Sequence, residues 1–314
     1  MIRLFSGNRV GVLFLLPLFV IIFQVLHWQT GQVESEVNDF GLWGELFVPE
    51  YLSYILSGIF ITGNALLLNS IYNRHQFLDK NSYLTSFLYV VLMTFCHAFY
   101  HFDYLICVHS LLLLMLQQFF EIKQQTDARQ HVFNAFVFIG AASTLQPLLL
   151  LFSPFFMISL YNLRSFYWRE SILAILGIAV PFLYCLTFLW WYNLDYLDNV
   201  DFSTFSYQLT DFIWNFLFIA LIIIITFFGL RPKLKKSSVR LKKQVQVLWI
   251  LVIMGLCVGV FSLLQKSEWD NLTIALLFLI SLSTFSFLHK TYGVISVCIL
   301  YFSIAYSMLK FFIA

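Results

Sequence analysis

The sequence is poor in charge. Only 11% of its 314 residues are Asp, Glu, Lys or Arg, where a soluble domain carries about 25%. No lysine or glutamate falls deep inside an apolar run. Proton-coupled carriers place ionisable groups at such depth, so a transporter or flippase is the least favoured reading. The five cysteines (Cys96, Cys107, Cys185, Cys257 and Cys298) show no C-x-x-C and no regular spacing. That excludes a zinc ribbon or a disulfide framework and leaves them as small apolar side chains. A glycine-rich phosphate loop, a nucleophile elbow and an H-E-x-x-H helix are all missing, which removes the common signatures of those chemistries. There is no repeat, low-complexity segment or soluble domain, and nothing points to nucleic acid.

What is present is apolar. Hydrophobic residues make up 61% of the chain and aromatics 19%, with 37 phenylalanines. A water-soluble fold cannot hide that much apolar surface, because about half of a globular surface is apolar already. Lipid removes the constraint. The sequence therefore predicts an all-α, polytopic transmembrane bundle, with spans near 10–28, 51–72, 83–100, 104–121, 170–192, 210–230, 245–265, 271–288 and 291–312. Arg3 and Arg9 precede the first run, which is long enough to span and is followed by no small-x-small cleavage site; it reads as an uncleaved helix. The stretch 132–163 is too long for one helix and is interrupted at Gln146-Pro147. Proline lacks a donor and disfavours helical geometry in the residue before it, so two short helices, 132–145 and 147–163, are expected as a full or re-entrant hairpin.

Charge sets the parity of that stretch. Arg129 precedes it, Arg164 and Arg169 follow it, and cytoplasmic loops gather Lys and Arg, so an even number of crossings is required. The resulting eleven-span scheme has a cytoplasmic N-terminus. It puts all of the 18 Lys and Arg residues inside except Lys266 and Lys310. Of the 16 Asp and Glu residues, only Asp79, Glu121, Asp127 and Glu170 are left inside. An acidic outer loop spans 29–50, with an amphipathic Phe40-to-Phe47 segment; a second spans 193–211, and a basic cytoplasmic loop spans 231–243. That basic loop orients the chain and attracts anionic membrane lipids.

The best candidate site lies outside. On a helical third span His97 and His101 are i, i+4 and share a face. Asp103 follows in a tight turn, and His109 lies farther into the next helix. Two imidazoles and a carboxylate can hold a divalent cation, so His97, His101 and Asp103 form the candidate metal set. The same side carries His27, Glu34, Glu36 and Asp39. Asp39 or Glu36 is the candidate general base toward a hydroxyl acceptor. The competing reading makes the histidines interfacial side chains beside Tyr100 and Tyr104, and the acids solvated.

Residues 1–192 resemble the seven-span core of the membrane-embedded GT-C glycosyltransferases. The likeness rests on the inside N-terminus, the acidic first outer loop and His101-Phe-Asp103 in a tight second outer loop. It extends to V-F-N-A-F-V-F-I-G-A-A-S-T-L-Q-P-L-L-L-L-F, N-L-R-S-F-Y-W-R-E and G-I-A-V-P, which look like that core's paired short helices, basic turn and proline-bearing helix. The resemblance implies a polyprenyl-phosphate-linked sugar donor used at the outer face of the cytoplasmic (inner) membrane. Asp39 or Glu36 would be the base, and His101 and Asp103 would position a cation or phosphate. The family's longer outer loop and large external domain have no counterpart here. Residues 193–314 add four further spans to one membrane domain, 1–314. The whole chain also resembles bacterial multi-pass envelope proteins, which implies no activity. A non-catalytic scaffold subunit bound to an envelope partner is the alternative. Reporter fusions within 29–50 and 231–243 are expected to report opposite compartments; a shared compartment would overturn the scheme.

Overall fold

A computed structural model describes residues 5, 7, 10–29, 38–78, 80–96, 99–122, 127–192, 209–266 and 270–287, with isolated positions between 294 and 305. A 3-10 turn at Val10–Phe14 leads into α1 (Leu15–Gln29). A two-residue ribbon follows: β1 (Asn38–Asp39) pairs antiparallel with β2 (Glu45–Leu46) around a 3-10 turn at Gly41–Trp43. The remaining helices are α2 (Glu50–Arg74), α3 (Leu84–Met93), α4 (Tyr104–Glu121), α5 (Arg129–Leu145), α6 (Leu148–Leu151), α7 (Ser153–Leu163), α8 (Trp168–Trp191), α9 (Leu209–Lys236), α10 (Val239–Lys266) and α11 (Thr273–Phe287). Six helical segments among the described residues are long and apolar enough to cross a membrane: Gly11–Gln29, Glu50–Arg74, Tyr104–Glu121, Trp168–Trp191, Val239–Leu263 and Asp270–Phe287. The last expected span, 291–312, lies largely outside the described residues.

The helix α11 is the axis. Its sequence, TIALLFLISLSTFSF, is apolar or hydroxylic on every side, the pattern of a helix enclosed all round. It packs against α3, α4, α9 and α10, and 89% of its span is buried, against 22% for α8. The rim helix α8 instead presents Ile175, Leu176, Leu183 and Leu186 outward, as a lipid-facing surface does.

The short helices expected over 132–163 are present as α5, α6 and α7. Gln146-Pro147 ends α5, and a second break falls at Phe152, where Pro154 begins α7. Two glycines set the approach of α5 to α8. A Cβ on Gly140 would lie 2.7 Å from the Ile178 carbonyl oxygen, and one on Gly177 would lie 2.9 Å from that of Phe133. Small residues of this kind let helix backbones close up in lipid.

The elements sort their polar residues to two ends. At one end Arg74 pairs with Glu121 at 2.8 Å and Arg164 with Glu170 at 3.4 Å. The stretch read as a basic loop, 231–243, is helical except for Ser237-Ser238. Two of its cations satisfy helix C-termini: Arg240 Nη2 donates to the Phe120 carbonyl at 2.9 Å, and Lys243 Nζ to that of Leu163 at 3.4 Å. Positive charge at these carbonyls also complements the helix dipole. His75 sits against Phe120 and 3.8 Å from Glu121. Burial holds its imidazole down at about 4, although Glu121 pulls the other way.

At the opposite end the ribbon folds over the break between α5 and α6. Gly41 has φ +63°, and a Cβ there would strike the Leu145 carbonyl. Trp43 Nε1 donates to Thr144 Oγ1 at 3.1 Å, and its ring meets Phe188 at 5.3 Å. Gln146 Nε2 donates to Asn271 Oδ1 at 2.7 Å, and Asn271 Nδ2 donates to Ser262 Oγ at 2.7 Å. Replacing Gly140 with Leu is expected to wedge α5 from α8 and to cost about 1–3 kcal/mol. Detergent-solubilised protein should show it as a lowered unfolding midpoint.

Candidate functional site

The end that carries the ribbon also holds a cluster built on α1 and α2. Gln24 and His27 lie three apart in the last turns of α1 and both face α2. Gln24 Nε2 donates to the Tyr54 carbonyl at 3.1 Å and to Ser57 Oγ at 2.9 Å. His27 Nδ1 lies 2.6 Å from the Tyr54 hydroxyl. Its ring stacks on Tyr100 at 4.2 Å and meets the edge of His101 at 5.6 Å. Tyr54 and His101 rings are 5.5 Å apart. Two serines of α2 hold the 100–102 turn in place. Ser53 Oγ accepts from the Phe102 amide at 2.7 Å, and Ser57 Oγ reaches the Tyr100 carbonyl at 3.5 Å. His27 and His101 are both 7% exposed. Burial pushes the Tyr100 phenol well above its ordinary range, so it stays neutral.

The turn differs from the expectation that the third span continues as a helix through residue 100. The helix α3 ends at Met93, short of the expected bound. Thr94 stops it: Thr94 Oγ1 donates back to the Val91 carbonyl at 2.7 Å, and the Tyr100 hydroxyl takes the Thr94 carbonyl at 2.9 Å. His97 itself lies outside the described residues. Asp103 is the N-cap of α4, its Oδ1 accepting from the Tyr104 amide at 2.6 Å. His109 does not join this group. It is fully buried, and its Nδ1 lies 3.2 Å from the Tyr89 hydroxyl. No group of three or more His, Cys, Asp or Glu that could hold a metal ion occurs among the described residues.

For the candidate bases, Glu36 lies outside the described residues, and the Asp39 backbone pairs with Glu45 in the ribbon. Its neighbour Phe40 packs on Phe102 at 5.7 Å, and Phe102 is the residue between His101 and Asp103. The chain around Asp39 is thereby brought to the His101–Asp103 turn.

Below the cluster runs a groove of about 420 Å³ between α1 and α2, lined by Pro17, Val20, Ile21, Gln24, Trp28 and Tyr54 among others. It is apolar toward Pro17, while Gln24 and Tyr54 bring polar atoms to its other end. Trp28 closes edge-on against Tyr54 at 5.1 Å. The arrangement offers hydrogen bonds from neutral groups at one end and an apolar channel behind them, which suits an amphiphile. Gln24, Tyr54 and Ser57 were not legible as site residues. The available signal was the spacing of Ser53, Ser57 and Asn64 on one face of α2.

Comparisons with family models, curated proteins and solved structures find no match to this chain. Replacing Tyr54 with Phe is expected to destabilise the α1–α2 contact by about 1–2 kcal/mol, the range for losing a buried hydrogen bond. The matched change at exposed Tyr184 should leave the unfolding midpoint in detergent unchanged.

Proposed function

We propose that this multi-pass membrane protein lies in the cytoplasmic membrane with its N-terminus and basic end inside. On this reading it transfers a sugar from a polyprenyl-phosphate-linked donor at the outer face, as GT-C glycosyltransferases do, in envelope glycan assembly. One observation carries the reading: Phe40 on Phe102 joins the loop bearing Asp39 to the turn bearing His101 and Asp103, at the same end as the groove between α1 and α2 that Gln24 and Tyr54 help to line. The donor's isoprenoid chain lies along the groove from Pro17 to Trp28. Its head group reaches the His27–Tyr54–His101 cluster, whose neutral donors and acceptors suit sugar hydroxyls. Asp39 or Glu36 takes the acceptor's proton. His101 and Asp103, with His97, would be the residues to hold a divalent cation, which would offset the phosphate charge at an end that carries Glu50, Asp103 and Asp270.

A second reading, a scaffold subunit for an envelope complex, draws on the capping role of Asp103, which is a structural use of that carboxylate. The two readings part on one experiment. Asp39→Ala, His101→Ala and Asp103→Ala are each expected to alter envelope glycan composition while the protein accumulates normally. Unchanged glycans in all three, with stable protein, would remove the enzyme.

A further inference from the structure

The buried face of α2 carries more polar groups than the outer cluster uses. Near the basic end Asn73 Oδ1 accepts from the Ser82 amide and its Nδ2 donates to the Ser82 carbonyl, both at 3.3 Å. These bonds fix the antiparallel register of α2 against α3. One turn deeper on each helix lie Asn69 of α2 and Thr85 of α3, both buried. Deeper again, Asn64 Nδ2 donates to the Ile106 carbonyl of α4 at 3.2 Å. Tyr89 meets His109 of α4, and Ser110 Oγ donates to Asn64 Oδ1 at 2.7 Å. The result is a polar seam through α2, α3 and α4, running from the basic end to the middle of the bundle. All of its side chains from Asn69 to His109 are at most 3% exposed.

Five atoms along this seam have no hydrogen-bond partner among the described residues: Ser82 Oγ, Thr85 Oγ1, Asn69 Oδ1, Tyr72 Oη and His109 Nε2. Buried polar atoms in native proteins are nearly always satisfied, and a lipid-enclosed core has no bulk solvent to do it. In either tautomer His109 Nε2 needs a partner, a donor when Nδ1 carries the ring hydrogen and an acceptor when Nε2 does, while Asn69 Oδ1 requires a donor. One ligand supplies both roles in a narrow seam, and it is water.

We infer that a file of internal waters occupies the α2–α3–α4 seam, enters at the Asn73–Ser82 turn and ends at His109 Nε2. The file gives the protein a hydrated route from its basic end to a histidine in the middle of the bundle. It is a second polar site, separate from the outer cluster, and it does not rest on the glycosyltransferase reading.

Microsecond radiolytic hydroxyl labelling of the full chain in detergent, read by mass spectrometry, tests it, since hydroxyl radicals form where water is held. Tyr72, Tyr89 and His109 should label several-fold faster than Phe136 and Phe278, which are equally buried but lie away from the seam's polar groups. Equal rates would show a dry seam and overturn the proposal. The isosteric Thr85→Val should lower His109 labelling several-fold and leave exposed Tyr184 unchanged. Asn69→Leu serves the same purpose should Thr85→Val fail to fold. Undiminished His109 labelling in a folded variant would refute entry from the basic end.

Discussion

A polar group inside lipid has no solvent to bind, and leaving it unpaired costs several kcal/mol. Polar side chains therefore have three acceptable places: an end of the bundle, a hydroxyl's bond to its own helix as in Ser281, Ser283 and Thr284, or a buried seam where another polar group meets them. The positions of the helices, the breaks and the candidate site all follow from that sorting. The basic end collects Arg74, Arg164, Arg240 and Lys243 with Glu121 and Glu170. The other end collects the ribbon, the 100–103 turn, Gln146 and Asn271. Between them the apolar helices pack around α11, which carries no charge at all.

The cations at the basic end do more than orient the chain. A helix that ends within a bundle leaves its last carbonyls without partners, and those of α4 and α7 sit where water has only partial access. Arg240 and Lys243 reach across from α10 to take them. The side chains that define the cytoplasmic face in the topology scheme thus also tie α10 to α4 and α7. Losing one would weaken packing as well as change charge, so phenotypes of substitutions there need a stability control before they are read as topology.

Apolar runs and proline made much of this fold legible. The break at Gln146-Pro147, the short helices between Arg129 and Arg164 and the boundaries of α1, α2 and α4 all appear where those signals put them. The end of α3 was hidden, because Thr94 stops that helix through a side-chain bond to its own preceding turn and through a tyrosine six residues later. Neither interrupts hydropathy. The loop read at 231–243 failed for the converse reason. Lysine and arginine are good helix formers, so a basic run at a membrane boundary continues α9 and α10 right up to Ser237-Ser238. For the site, His101 and Asp103 were visible as outward-side residues, but pairing His27 with Tyr54 needs the crossing of α1 over α2. A linear pattern cannot supply that.

The helix α2 links these observations. Its polar residues serve two regions in succession: Ser53, Tyr54 and Ser57 build the outer cluster, while Asn64, Asn69 and Asn73 build the seam. Ile61 lies between them, fully buried and apolar. Hydrogen bonding between transmembrane helices alone would account for a few such groups, at about 1 kcal/mol each. It does not account for orphaned atoms on α2, α3 and α4, because a polar side chain retained only as glue would have its partner. The outer cluster leaves no buried side-chain atom orphaned among the described residues. The seam is unsaturated, as a path for a small polar ligand should be. One helix thereby presents two kinds of polar surface, told apart by whether the protein itself completes the hydrogen bonds.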